Sequence, residues 1–66
     1  MNQQVQNTLA ALHRGQLVTV IYDGKFENKR LQVTGKVVHV DQFWSILQIN
    51  NIGIDFSEIL EILTSR

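Results

Sequence analysis

Sixty-six residues with no cysteine, six basic and six acidic side chains and 44% hydrophobic content describe one small domain, spanning 1–66. Such a chain removes only roughly 60% of its unfolded surface from water on folding, and no disulfide or thiolate metal site can assist, so oligomerisation is the expected support. Balanced charge excludes a strong overall pull toward nucleic acid or anionic lipid. No apolar run reaches the ~20 residues of a bilayer span, and Met1-Asn2-Gln3-Gln4 does not read as a signal peptide, so a cytoplasmic protein with no membrane partner is expected.

Val5, Leu9 and Leu12 recur at i, i+4 and i+7, which predicts an amphipathic helix over about 3–13. Asn2 is the candidate N-cap. Gly15 supplies the positive φ that commonly follows a helix end, and His13 and Arg14 fall where positive charge suits the helix dipole. A helix this short does not persist alone in water, so its stripe is expected to cover one end of a β structure.

Leu17 to Tyr22 is rich in β-branched residues and reads as a strand buried on both faces, ended by the turn pair Asp23-Gly24. Lys25 to Arg30 form a polar loop carrying one aromatic, Phe26. Leu31 to Val40 make the longest strand candidate. Leu31, Val33 and Val37 share one face, whereas Val38 and Val40 take the other. Gly35 lies within that run and is the expected bend, allowing one strand to serve two sheets.

A third strand is expected to begin at Trp44 and run through Ile49, with Asn50-Asn51 as a tight turn. Ile52, Ile54 and Phe56 alternate in a fourth strand, Ser57-Glu58 break it, and Ile59 to Leu63 make a fifth, followed by frayed Thr64-Ser65-Arg66. One helix and about five short strands predict an all-β fold, a small five-stranded SH3/Sm-like barrel at about 16–63 behind a short N-terminal helix. No proline blunts any edge strand, and Glu61 is the single charge in the last, so strand-to-strand association between copies is expected.

No pattern carries catalysis. His13 and His39 have no metal-ligand spacing; Asp41, Asp55, Glu58 and Glu61 make no recognisable acid/base pair, and no glycine-rich phosphate loop exists. A non-enzymatic chain without cofactor or metal is expected. Lys25, Phe26, Lys29 and Arg30 have the composition of a stacking and phosphate-contacting loop, although Asp23 and Glu27 dilute the charge to that of a solvated hairpin. Tyr22 offers either a stacking face or plain packing. Phe43 and Trp44 are adjacent and expected to point to opposite sides, one into the core and one toward an interface, where Trp44 would anchor assembly. Ile54, Phe56, Leu60 and Ile62 complete the expected interface.

The order of elements resembles the Sm-like superfamily. Leu9-Ala10-Ala11-Leu12-His13-Arg14, Val20-Ile21-Tyr22, Gly35-Lys36-Val37 and Asp41-Gln42-Phe43 are similar to segments of the bacterial Hfq family of RNA chaperones. Tyr22-Asp23-Gly24, Gly35 through Asp41, and Ile54-Asp55-Phe56-Ser57-Glu58-Ile59-Leu60-Glu61-Ile62 resemble the YolD-like family of small Gram-positive and phage-associated proteins. Both resemblances imply a bacterial or phage module of Sm-like fold. The first implies an RNA-binding ring in which Gln42 and Phe43 sit where bases are contacted. The basic pair of Hfq is replaced here by Asp55-Phe56-Ser57-Glu58, whose charge repels phosphate. The expected function is therefore a self-assembling interaction module with a protein partner, with an oligomeric RNA- or DNA-binding protein as the alternative.

Overall fold

A computed structural model describes residues 3–26 and 28–64. The helix α1 spans Gln3–Ala11 and buries Val5 and Leu9, with Leu12 packed beside them. It is shorter than the expected 3–13, and His13 and Arg14 lie beyond its last turn. Competing hydrogen bonds stop it: the His13 amide donates to the Gln16 side chain at 3.0 Å, and the Gly15 amide donates to the Val37 carbonyl at 2.7 Å. Gly15 takes φ +88°, which lets the chain turn into the sheet. The candidate cap Asn2 lies outside the described residues.

Five antiparallel strands follow: β1 Leu17–Gly24, β2 Lys29–Asp41, β3 Ile46–Ile49, β4 Ile52–Asp55 and β5 Ile59–Thr64, in the sheet order β4-β3-β2-β1-β5. The long β2 joins the two parts of this sheet. Its first half pairs with β1, Lys29 opposite Gly24 through Lys36 opposite Leu17, and its second half pairs with β3 from Val37 opposite Ile49 to Asp41 opposite Ile46. The register shifts between Val37 and His39, and there the buried parity changes from odd to even: Val37 is buried, while Val40, opposite buried Leu47, also packs on the core. The switch is therefore a bulge around Val38, not a bend at Gly35. An extra residue in one strand is what flips a period-2 pattern.

Further boundaries differ from the sequence reading. Only Val18 and Val20 are buried in β1; Leu17 is exposed, and Thr19 pairs on the outer face with Thr34 through hydroxyls 2.8 Å apart. Trp44 lies in the turn before β3. Phe56 leaves β4 for a 3-10 helical turn, Phe56–Glu58, because the Asp55 carboxylate accepts from the Ser57 amide and curls the chain. Thr64 is still paired, opposite Val18. The core collects Val5 and Leu9 from α1 with Val18, Val20, Val37, Leu47, Ile49, Ile54, Phe56 and Ile59. Among the described residues no helix is long and apolar enough to cross a membrane.

Candidate functional site

The molecule offers surfaces more than enclosed cavities, and the residues singled out above separate into four places. The β1–β2 hairpin carries Lys25, Phe26, Lys29 and Arg30. Gly24 and Lys29 close the ladder, and the Asn28 amide returns to the Gly24 carbonyl at 2.9 Å with Asn28 at φ 51°. Asparagine is suited to this left-handed position. The result is an open cleft lined by Asp23, Gly24, Lys25, Asn28, Lys29 and Arg30, with Phe26 fully exposed. Asp23 stands opposite Arg30 in the strand register, so the hairpin carries both signs of charge and its net field is reduced. Tyr22 lies one position further in, half-buried and packed against the core.

The second place is the turn between β2 and β3. One oxygen of Asp41 accepts from the amides of both Phe43 (3.0 Å) and Trp44 (2.9 Å). Ser45 then takes φ 57°, and its carbonyl accepts from the Phe56 amide at 2.8 Å. These bonds anchor the turn at both ends. Phe43 and Trp44 are 83% and 69% exposed, with ring centroids 5.1 Å apart and planes at 83°. The expected division of this pair between core and surface does not occur. Both rings lie outside, because they sit on a turn where strand alternation does not operate, and they pack edge-to-face on each other. Gln42, also exposed, borders a small cleft with Gln6, Leu9, Ala10 and Phe56.

Third are the sheet edges. Leu60 and Ile62 of β5 are half-buried; both border a small cleft against Gln4, Val5 and Thr8 of α1, and Ile62 also packs on the core. Leu63 on the same strand is 47% exposed. Fourth, Ile54 and Phe56, expected at an interface, lie in the core at 1% and 6% exposure, Phe56 reaching the surface only at the cleft beside Gln42. Ile54 faces inward opposite Leu47, and Phe56 is turned in by the Asp55 cap.

Electrostatics at the two aspartate-capped turns, Asp41 before β3 and Asp55 before β5, follow from the same caps. Asp55 is held below the usual aspartate range, first by the hydrogen bond from the Ser57 amide, then by that from the Ser57 hydroxyl; partial desolvation opposes these, and Lys25 adds a small further lowering. The second oxygen of Asp41 lies 4.0 Å from His39 Nε2, an ion pair only when the imidazole is protonated. Among the described residues no three of His, Cys, Asp and Glu gather as a metal site, and no buried side-chain polar atom lacks a partner.

Sequence reasoning missed the structural work of Asp41 and Asp55. The available signal was an aspartate followed two residues later by an amide it could cap, the Asx turn. Compared with known proteins, the chain matches no family model, no curated protein and no solved structure.

Proposed function

We propose that this chain is a non-enzymatic cytoplasmic interaction module of SH3/Sm-like type, in which the bulged β2 curls the sheet into a small barrel and copies associate through the remaining strand edges. The observation that carries this reading is the strand order. Among the described residues β4 and β5 are the two ends of the sheet, and each pairs with one neighbour only, β3 and β1 respectively. An unpaired edge presents amide and carbonyl groups ready to bond another strand. Neither edge contains proline, and Ile52 and Leu63 bring exposed apolar surface to them. Joining β4 of one copy to β5 of the next is a head-to-tail contact that closes into a ring when the rotation permits. The resemblance to the Sm-like superfamily supports the same arrangement.

Sedimentation equilibrium across protein concentration tests the reading. Association is expected, with Leu63→Lys shifting the population toward monomer while leaving the fold intact, since Leu63 is on the surface. A compact wild-type monomer at high micromolar concentration overturns it.

One observation favours a second reading, an oligomeric RNA- or DNA-binding protein: Phe26 is fully exposed beside Lys25, Lys29 and Arg30. A base could stack on the ring while the cations meet phosphates. Three such contacts give a salt dependence of only about two log units of affinity per decade of salt for a single strand, multiplied if several copies engage. Submicromolar binding of single-stranded RNA at physiological salt, lost when Lys29 and Arg30 are both changed to Glu, would establish this reading over the first.

A further inference from the structure

The outer face of β2, β3 and β4 carries a row that the pairing defines. Asp41 stands opposite Ile46, and Ile46 stands opposite Asp55, so an isoleucine lies between two carboxylates on one face. Ile46 is 38% exposed, and Phe43 and Trp44 immediately precede it on the capped turn. In the neighbouring row Gly53 has no side chain, and Ile46 leans across it: its Cγ2 lies 3.3 Å from where a β-carbon on Gly53 would be. An exposed isoleucine between two carboxylates is thus joined in the chain, through Ser45, to a turn that carries two exposed aromatic rings.

We propose that this surface receives a Lys- or Arg-bearing segment of a partner protein, with Phe43 and Trp44 as its aromatic anchor and Asp41 and Asp55 as its anionic flanks. The inference rests on the interaction-module reading and gives the partner its chemistry. Charge decides the occupant. From Asp41 to Thr64 every charged residue is acidic: Asp41, Asp55, Glu58 and Glu61. On the face itself the charges flanking Ile46 are Asp41 and Asp55, with His39 Nε2 4.0 Å from Asp41 and Lys25 acting on Asp55; the two carboxylates repel phosphate and attract a cation. A lysine or arginine can lay its aliphatic stem on Ile46 and direct its head to a ring face or a carboxylate.

Preorganisation adds to the case. The Asp41 bonds hold the Phe43 and Trp44 backbone before any partner arrives, which reduces the ordering cost of binding. Asp55 is likewise fixed by Ser57 and kept ionised, and Lys25 of its own hairpin already interacts favourably with it. Trp44 is the single tryptophan of the chain, so its fluorescence reports directly on this surface.

The test is a titration of the full chain with an oligo-arginine peptide, followed by Trp44 emission, with oligo-glutamate as the control. A saturable emission change with oligo-arginine alone is expected, weakening as salt is raised. The double variant Asp41→Asn, Asp55→Asn keeps both turn caps, because the asparagine oxygen still accepts, yet removes both charges. It should bind about ten-fold more weakly, the equivalent of about 1.4 kcal/mol. No change with oligo-arginine, an equal change with oligo-glutamate, or unaltered binding by the double variant overturns the proposal. A concentration-dependent emission change without peptide, abolished by Lys25→Glu with Arg30→Glu, assigns the surface to the hairpin of a second copy and also overturns it. Sedimentation of the same samples separates the two readings: peptide binding by a strict monomer refutes edge assembly alone, and assembly without peptide binding refutes the cation surface alone.

Discussion

Gly35 is small because Asn50 lies across it. A β-carbon built on Gly35 would meet the Asn50 side chain, with Cγ and Oδ1 at 2.7 Å, while the Asn50 backbone N–H donates to the Lys36 carbonyl at 3.3 Å. The strand glycine thus receives the turn between β3 and β4, tying one half of the sheet to the other. Gly35→Ala must displace the Asn50 side chain and should cost about 1–2 kcal/mol in urea denaturation. Asn50 sits at φ 54°, which glycine adopts freely, so Asn50→Gly added to Gly35→Ala should recover most of the loss. Additive penalties in that cycle would show that the two residues do not oppose each other.

Asp41 organises the aromatic turn. Asp41→Ala removes the acceptor of the Phe43 and Trp44 amides and should cost about 1 kcal/mol. Trp44 fluorescence anisotropy should fall as the turn loosens, whereas Asp41→Asn should keep both stability and anisotropy near wild type. Equal behaviour of the two variants would separate the turn from its cap.

Asp55 sets a pH dependence with a definite sign. Its folded pKa lies below the ordinary aspartate value, chiefly through the Ser57 amide and then the Ser57 hydroxyl. The associated stabilisation is complete above the unfolded value, about pH 4, and is lost as pH falls through the folded one. Ser57→Ala removes the hydroxyl donor, so the Asp55 carboxyl, followed by NMR, should titrate at higher pH than in wild type. An unmoved titration would show that the hydroxyl bond contributes nothing in solution.

Two phenylalanines should behave oppositely. Phe56 is buried with Leu47 and Ile54 in the core, and Phe56→Ala should remove about 3–5 kcal/mol, enough to unfold so small a domain. Phe26 is fully exposed, and Phe26→Ala should change stability by less than about 0.5 kcal/mol. Thermal melts of both variants check this. A large loss at Phe26 would mean that the hairpin ring packs against the fold.

The fifth strand gives a matched pair. Ile62 packs on the core, so Ile62→Lys should lower both melting temperature and association; Leu63→Lys should lower association alone. Loss of folding in both variants would show that Leu63 also supports the core.

Periodicity alone determined the helix stripe of Val5, Leu9 and Leu12, the number and order of the strands, and the turns at Gly15 and Asn50, because these follow from the 3.6- and 2-residue repeats and from local backbone preference. Tertiary structure decided what local rules leave open. Whether β2 changes parity at Gly35 or at Val38 depends on its pairing with β3, and Gly35 is explained only by Asn50, fifteen positions away. Phe43 and Trp44 could not be sorted between core and surface from alternation, since the Asp41 cap makes a turn in which alternation ends. Phe56 was readable as apolar but not as interior, because its direction is set by the Asp55–Ser57 bonds and the Ser45 carbonyl. Repeating patterns are properties of neighbours along the chain; the side of the sheet on which a turn residue lands is fixed by hydrogen bonds and contacts that exist only once the strands have met.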